Sequence, residues 1–149
     1  MADITYGFKT LLHGQEIPSG ECFWKLMSPL IYGRKDGSEI IIPVDFETDF
    51  YSVPDLLAGL VIDVDKRPAV LHDFLYRKGK INGLLISQKI ADDLLLEAMI
   101  ACKFSKWRRN VIYMGVRWFG SSTWNDYREQ DGKEDGVLKT VCRRSSKIS

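Results

Sequence analysis

The sequence predicts an α+β fold, with a small antiparallel sheet or hairpin followed by three packed helices. Three observations carry this. Residues up to about 66 alternate short apolar runs with turn residues, whereas from residue 67 the apolar residues fall at helical spacing. The chain has 149 residues, of which 45% are hydrophobic, enough for one core that needs no staples. Beyond Trp124 the apolar pattern stops.

In chain order, "GECFWKLMSPLIYG" alternates loosely, "RKDGS" supplies Asp36-Gly37 turn chemistry, and "EIIIPVDF" follows with Pro43 near its end. These read as a hairpin. The next segment, "ETDFYSVPDLLAG", holds Pro54 and Gly59 and reads as an irregular loop. Pro68 suits the first turn of a helix running to about Arg77, where "KGKING" breaks it. Ser87 is placed to cap a second helix through about Cys102. Ser105 is placed to cap a third, through about Phe119, with Gly120 as its end. The domain is expected over residues 1–124. Residues 125–149, rich in charge, Gly and Ser, are expected as a flexible tail whose Arg143, Arg144 and Lys147 are either solvated, the favoured reading, or in touch with an acidic surface.

Composition excludes several classes. With 21 basic and 20 acidic side chains the net charge is +1, which gives no overall reason to expect a nucleic-acid partner. The cysteines Cys22, Cys102 and Cys142 are widely spaced and form no CxxC pair. A thiolate zinc site is therefore not expected, and a reduced compartment is. Cys102, in an apolar helical run, is expected in the core. The N-terminus lacks the layout of a signal peptide, and no apolar run approaches the ~20 residues of a transmembrane helix. A soluble protein is expected.

The chemistry concentrates in "AVLHDFLYR" and "ADDLLLEAM". Asp92 has Leu95, Leu96 and Met99 at i+3, i+4 and i+7, so its helix face is apolar, whereas Asp93 shares a solvated face with Glu97. A core-facing carboxylate needs a partner, a histidine or arginine on a facing helix. The short connection "KGKINGLLI" lets the first two helices run antiparallel and bring His72 opposite Asp92. In such a pair the carboxylate orients the imidazole and leaves its other nitrogen as a base. Asp73 points about 100° away around the helix, beside Tyr76 and Arg77. It either pairs with Arg77 or binds a cation.

Thr48, Asp49 and Ser52 sit in the "TDFYSVP" loop, where Asp49 and Ser52 are also ordinary turn formers. If that loop folds over the helices, Asp49, His72, Asp73 and Asp92 offer ligands to calcium or another divalent cation. A buried His–Asp pair also serves as a structural hydrogen bond, and both readings stay open. On the third helix Arg109, Tyr113 and Arg117 form a polar stripe beside Trp107, Val111, Met114 and Trp118. The stripe either lines an anion-binding wall or pairs with carboxylates such as Glu97. Trp118, Phe119 and Trp124 are expected in the core.

The order "WKLMSPLIY", "IIIPVDFETDFYSVP", "LHDFLYR", "ADDLLLEAM", "VIYMGVRWFG" resembles the DUF1353 family, small proteins of unknown function found mainly in bacteriophages and prophages. The resemblance spans about residues 20–124 and implies Thr48, Asp49, Ser52, Pro54, His72, Asp73, Tyr76 and Asp92 as signature positions. It implies action in the host cytoplasm or with the virion, on a substrate or on a phage or host protein. One departure is Gln88, in "SQKIAD", where the family often has arginine. A second, weaker likeness is to the paired helices of bacterial secreted phospholipases A2. It implies His72 as base, Asp73 as calcium ligand, Asp92 as orienter and Tyr76 as support, although that family's glycine-rich calcium loop and disulfides are missing here.

Three functions are therefore in view. The first is a hydrolase using His72 and Asp92, assisted by a cation on Asp73 and Asp49, with Thr48, Ser52 and Tyr76 in support. The second is a non-catalytic virion, tail or defence-countering binding protein in which the cluster is structural. The third is a small-ligand binder that uses Arg109, Arg117 and the His–Asp cluster as a pocket for an anion.

Overall fold

The structure, a computed structural model, describes residues 6–18, 22–48, 59–60 and 63–145. Its strands, in chain order, are β1 (Gly7–Phe8), β2 (Gly14–Pro18), β3 (Cys22–Leu26), β4 (Leu30–Gly33), β5 (Glu39–Ile42), β6 (Glu47–Thr48), β7 (Lys80–Ile81) and β8 (Leu84–Leu85). They build two three-stranded sheets, ordered β1-β4-β5 and β2-β3-β6, and the small ribbon β7-β8, with antiparallel pairing throughout. Among the described residues three helices follow the strands of the first half: α1 (Arg67–Lys78), α2 (Gln88–Ala101) and α3 (Lys106–Ser145). The α+β order expected from the sequence is the order observed.

The expected hairpin is β4-β5. Its register, Leu30 opposite Ile42 and Tyr32 opposite Ile40, puts these four side chains on the buried face and leaves Ile41 outside. At the turn the Ser38 amide donates to the Asp36 carboxylate over 2.9 Å, and Gly37 takes φ +86°, which disfavours a side chain. The run "GECFWKLMSPLIYG" is divided between the two sheets, because β3 pairs with β2 and β6 while β4 pairs with β1 and β5. The short strands β1 and β2 have no alternating apolar pattern, so periodicity gives no sign of them.

α1 has Pro68 in its first turn and ends at Gly79, in the left-handed region at φ +59°. The break after it is itself a hairpin. Asn82 and Gly83 both have positive φ, at 51° and 82°, the requirement of a tight primed turn. Ser87 caps α2 as expected, its side chain accepting from the Ile90 amide at 3.2 Å.

α3 corrects an expectation. It does not end at Gly120 but runs 40 residues to Ser145, about 60 Å at the α-helical rise. Residues 125–145, set apart as the start of a tail, thus continue this helix. A single helical glycine costs only about 1 kcal/mol against alanine, and residues 127–135 are mostly Arg, Glu, Gln, Lys and Asp, several of them good helix formers. Among the described residues no helix is long and apolar enough to cross a membrane.

The core has two parts. One lies between the β4-β5 hairpin and the helices and includes Tyr32, Ile42, Leu71, Leu75, Ala98 and Trp124. The other joins α2 to α3 through Leu95, Met99, Phe104, Ile112 and Val116, with Cys102 packed against it. Cys102, expected in the core, is only partly buried; burial and the nearby Asp65 carboxylate push its thiol up to about 12, which makes it inert. Trp124 is core as expected, but Trp118 and Phe119 are exposed. On α3 Trp118 lies away from the face that carries Ile112 and Val116, whereas Phe119, seven residues after Ile112, shares that side and is exposed all the same.

Candidate functional site

His72 and Tyr76, one helical turn apart on α1, project on the same side, with ring centroids 4.1 Å apart. α2 brings Asp92, wholly buried, against both. Its Oδ1 lies 2.7 Å from His72 Nε2 and accepts from the Tyr76 hydroxyl at 2.7 Å. From α3, Arg117 Nη1 donates to Oδ2 at 2.8 Å. One carboxylate thus joins three helices, and every partner reaches it from a different turn.

The electrostatics follow from this crowding. Burial alone would raise the Asp92 carboxyl, but the hydrogen bond and charge of His72 and the hydrogen bonds of Tyr76 and Arg117 outweigh it, holding the group below the ordinary carboxylate value. Asp92 is therefore an anion and accepts only. Burial first, then the hydrogen bond to Asp92, raises the Tyr76 phenol, so it remains a donor. Hydrogen bonding to Asp92 likewise raises Arg117. Because an ionised Asp92 has no proton to give, the hydrogen between the two is on His72 Nε2, and in the neutral form of the imidazole the lone pair is on Nδ1. No hydrogen-bond partner engages Nδ1 among the described residues. The His72 side chain is 14% exposed, against 0% for Asp92.

A further layer holds Tyr76. Gln88 Nε2 donates to its hydroxyl at 3.2 Å, and the Ser121 hydroxyl donates to Gln88 Oε1 at 3.3 Å. The hydroxyl is seated against Gly120, where an added Cβ would lie 2.4 Å from it. Trp124 meets the Tyr76 ring edge-on at 5.3 Å. Arg128 Nη2 donates to the carbonyls of Tyr76 at 2.8 Å and Arg77 at 3.0 Å, closing the end of α1. Glycine at position 79 leaves room for that guanidinium, since a Cβ there would overlap Arg128 Nη1 at 1.4 Å.

Of the residues singled out by sequence, His72, Asp92, Tyr76 and Arg117 come together. Arg109 does not join them; its Nη1 donates to the Phe104 carbonyl at 3.3 Å. Arg117 turns to Asp92 rather than to Glu97, which instead accepts from Tyr32 at 2.8 Å. Asp93 is half-exposed, receiving Lys89 and the Tyr113 hydroxyl, each at 2.6 Å. Thr48 is buried at the end of β6, and that strand is tied to α1 by Arg77, whose Nη1 donates to the Glu47 carbonyl at 2.7 Å. Asp49, Ser52 and Pro54 lie outside the described residues.

Asp73, the expected cation ligand, pairs with Arg77 at 3.3 Å, one turn along the same helix. Among the described residues no three His, Cys, Asp or Glu side chains converge to hold a metal ion. An arginine beside Asp73 competes with a cation for its carboxylate.

Sequence reasoning missed Gln88, Gly120, Ser121 and Arg128. Gln88 was visible only as a departure from a pattern, and Gly120 only as a helix stop. Its spacing from Trp124 and Arg117, which places all three along one side of a longer helix, was the available signal.

Fold and site together define a small α+β protein with a buried carboxylate–imidazole cluster between three helices. The chain belongs to the DUF1353 family, described as protein of unknown function, whose model matches residues 24–116. No curated protein and no solved structure matches it, and the likeness to phospholipases A2 gains no support from these comparisons.

Proposed function

We propose that this protein is a hydrolase in which His72 is the general base and Asp92 orients it. One observation supports the reading above the others. The 2.7 Å contact between His72 Nε2 and a buried, ionised Asp92 fixes the tautomer with Nδ1 as the basic atom. In the proposed reaction Nδ1 takes a proton from water as the oxygen attacks an acyl or phosphoryl centre. The imidazolium that forms faces the Asp92 anion, which stabilises it, and the proton then passes to the leaving group. Tyr76 and Arg117 hold the carboxylate still, so the imidazole cannot swing away between turnovers. On the family resemblance alone, the protein acts in the host cytoplasm of a phage infection or with the virion.

The test is His72→Gln, whose amide nitrogen can still donate to Asp92 but has no basic atom. Wild type and variant are assayed on a panel of carboxylic esters, phosphodiesters and phospholipid vesicles, with and without calcium, magnesium, manganese and zinc. Turnover in wild type that falls about 10²- to 10⁴-fold in a variant of unchanged melting temperature is the expected result, the range for loss of a general base. Equal rates in both proteins, or no turnover by wild type of any panel member, would overturn it.

A second reading has its own support. A wholly buried carboxylate with donors from three helices is also what a purely structural tie requires. In that case the protein is a virion, tail or defence-countering binding protein. His72→Ala then lowers stability by about 1–3 kcal/mol, the cost of an unsatisfied buried group, and His72→Gln changes nothing measurable.

A further inference from the structure

α3 carries a second feature that the cluster does not use. Trp107, Val111, Met114 and Trp118 fall at spacings of four, three and four residues, within an arc of about 60° at 100° per residue. All four are exposed, Trp107 at 59% and Trp118 at 69%. Ile112 and Val116, on the far side of the helix, are buried. The seam therefore faces away from the core.

Charge around the seam is one-sided. From Ala98 to Asn125 the chain has five basic residues, Lys103, Lys106, Arg108, Arg109 and Arg117, and no acidic one. The whole chain, by contrast, has a net charge of +1. By helical spacing Arg108 flanks the seam on one side and Lys106 and Arg117 on the other, Arg117 being paired with Asp92, while Arg109 lies on the far side with Ile112 and Val116.

We propose that this face of α3 docks on an anionic lipid surface. Aromatic side chains on one face with basic residues at its flanks are the composition of a helix lying in a bilayer interface, where tryptophan rings seat at headgroup level. A second copy of this chain fits less well, because a twofold contact would set basic flanks against each other. A helical partner also fits less well. The next seam positions hold Ser121, Ser122 and Asn125, so the seam spans under two heptads, short of the three to four that sustain a coiled coil. The proposal stands whether or not His72 is a base.

The full chain is mixed with vesicles of phosphatidylcholine alone and of phosphatidylcholine with phosphatidylglycerol in equal parts, and bound protein is read by flotation and by tryptophan emission. We expect binding to the anionic vesicles with a blue shift, weakened at high salt, and none to the neutral ones. The double variant Trp107→Ser/Trp118→Ser, altered only at exposed positions, should lose the binding and keep its circular dichroism. Lys106→Gln should weaken it about fivefold, the scale of one basic residue near an anionic surface. Failure to bind anionic vesicles at low salt, or equal binding to neutral ones, overturns the proposal without need of a variant. So does a wild-type dimer in sedimentation velocity that Trp118→Ser dissolves, which would assign the face to a second copy.

Discussion

Asp92 and Asp93 are neighbours on α2, and each receives a tyrosine hydroxyl and a cation. Tyr76 and Arg117 serve Asp92, with His72 as a third partner, while Tyr113 and Lys89 serve Asp93. The difference is depth. The Asp92 side chain is 0% exposed and that of Asp93 44% exposed, so water competes for every contact of the second and for none of the first. The same contact types therefore have different consequences. Around Asp93 they trim a surface; around Asp92 they are the only hydration its charge has.

The sharpest way to break the comparison is to remove each carboxylate. Asp92→Ala leaves Arg117, His72 and Tyr76 facing a void and should cost about 3–5 kcal/mol in a urea titration, as for breaking a buried ion pair from one side. A loss under ~1 kcal/mol would place Asp92 in the same class as an exposed pair.

Gly120→Ala tests the layer behind. The new Cβ meets the Tyr76 hydroxyl at 2.4 Å and Gln88 Nε2 at 3.2 Å, so the ring must shift off Asp92. We expect a net loss of about 1–2 kcal/mol after the gain in helix propensity. Gly132→Ala, on the same helix with nothing within 4 Å of the new Cβ, should instead stabilise. Equal effects at the two sites would mean that Tyr76 is not seated against Gly120.

Acid separates the two aspartates without a cavity. The Asp92 contribution is complete above the ordinary carboxyl pKa of 3.8 and is lost as pH falls through the lower value it has in the fold. Stability curves of wild type and Asp92→Asn should accordingly converge at the acid end; parallel curves would mean Asp92 does not titrate against the fold. The smallest effect is that of Asp93→Asn. It should change stability by no more than ~0.5 kcal/mol, and less in high salt.

How much of this was legible depended on whether the signal was local. The start of α1, the Ser87 cap and the pairing of His72 with Asp92 were readable, because helical spacing and a short connection fix which faces meet. Arg117 was half-readable. A core-facing Asp92 called for a histidine or arginine, but nothing in the spacing chose Arg117 over Arg109. Gly120 was misread because a glycine has the same signature whether it ends a helix or admits a neighbour's hydroxyl. The stretch after Trp124 was read as a tail because it has no apolar period, yet a run of good helix formers continues a helix without one. Trp118 was assigned to the core because it shares an apolar face with Trp107, Val111 and Met114, but α3 packs through the opposite side, that of Ile112 and Val116; Phe119 has the spacing of that packed side and is exposed nonetheless.

The position of Arg117 has a consequence for how such proteins are cut. The family match ends at residue 116, one position before the guanidinium that completes the Asp92 carboxylate. Gly120, Ser121, Trp124 and Arg128, which seat Tyr76 and close α1, lie further out. A boundary of recognisable likeness is not here a boundary of folding. A fragment trimmed to the recognised segment would carry His72 and Asp92 and lack what holds them in register, and its inactivity would say nothing about either residue.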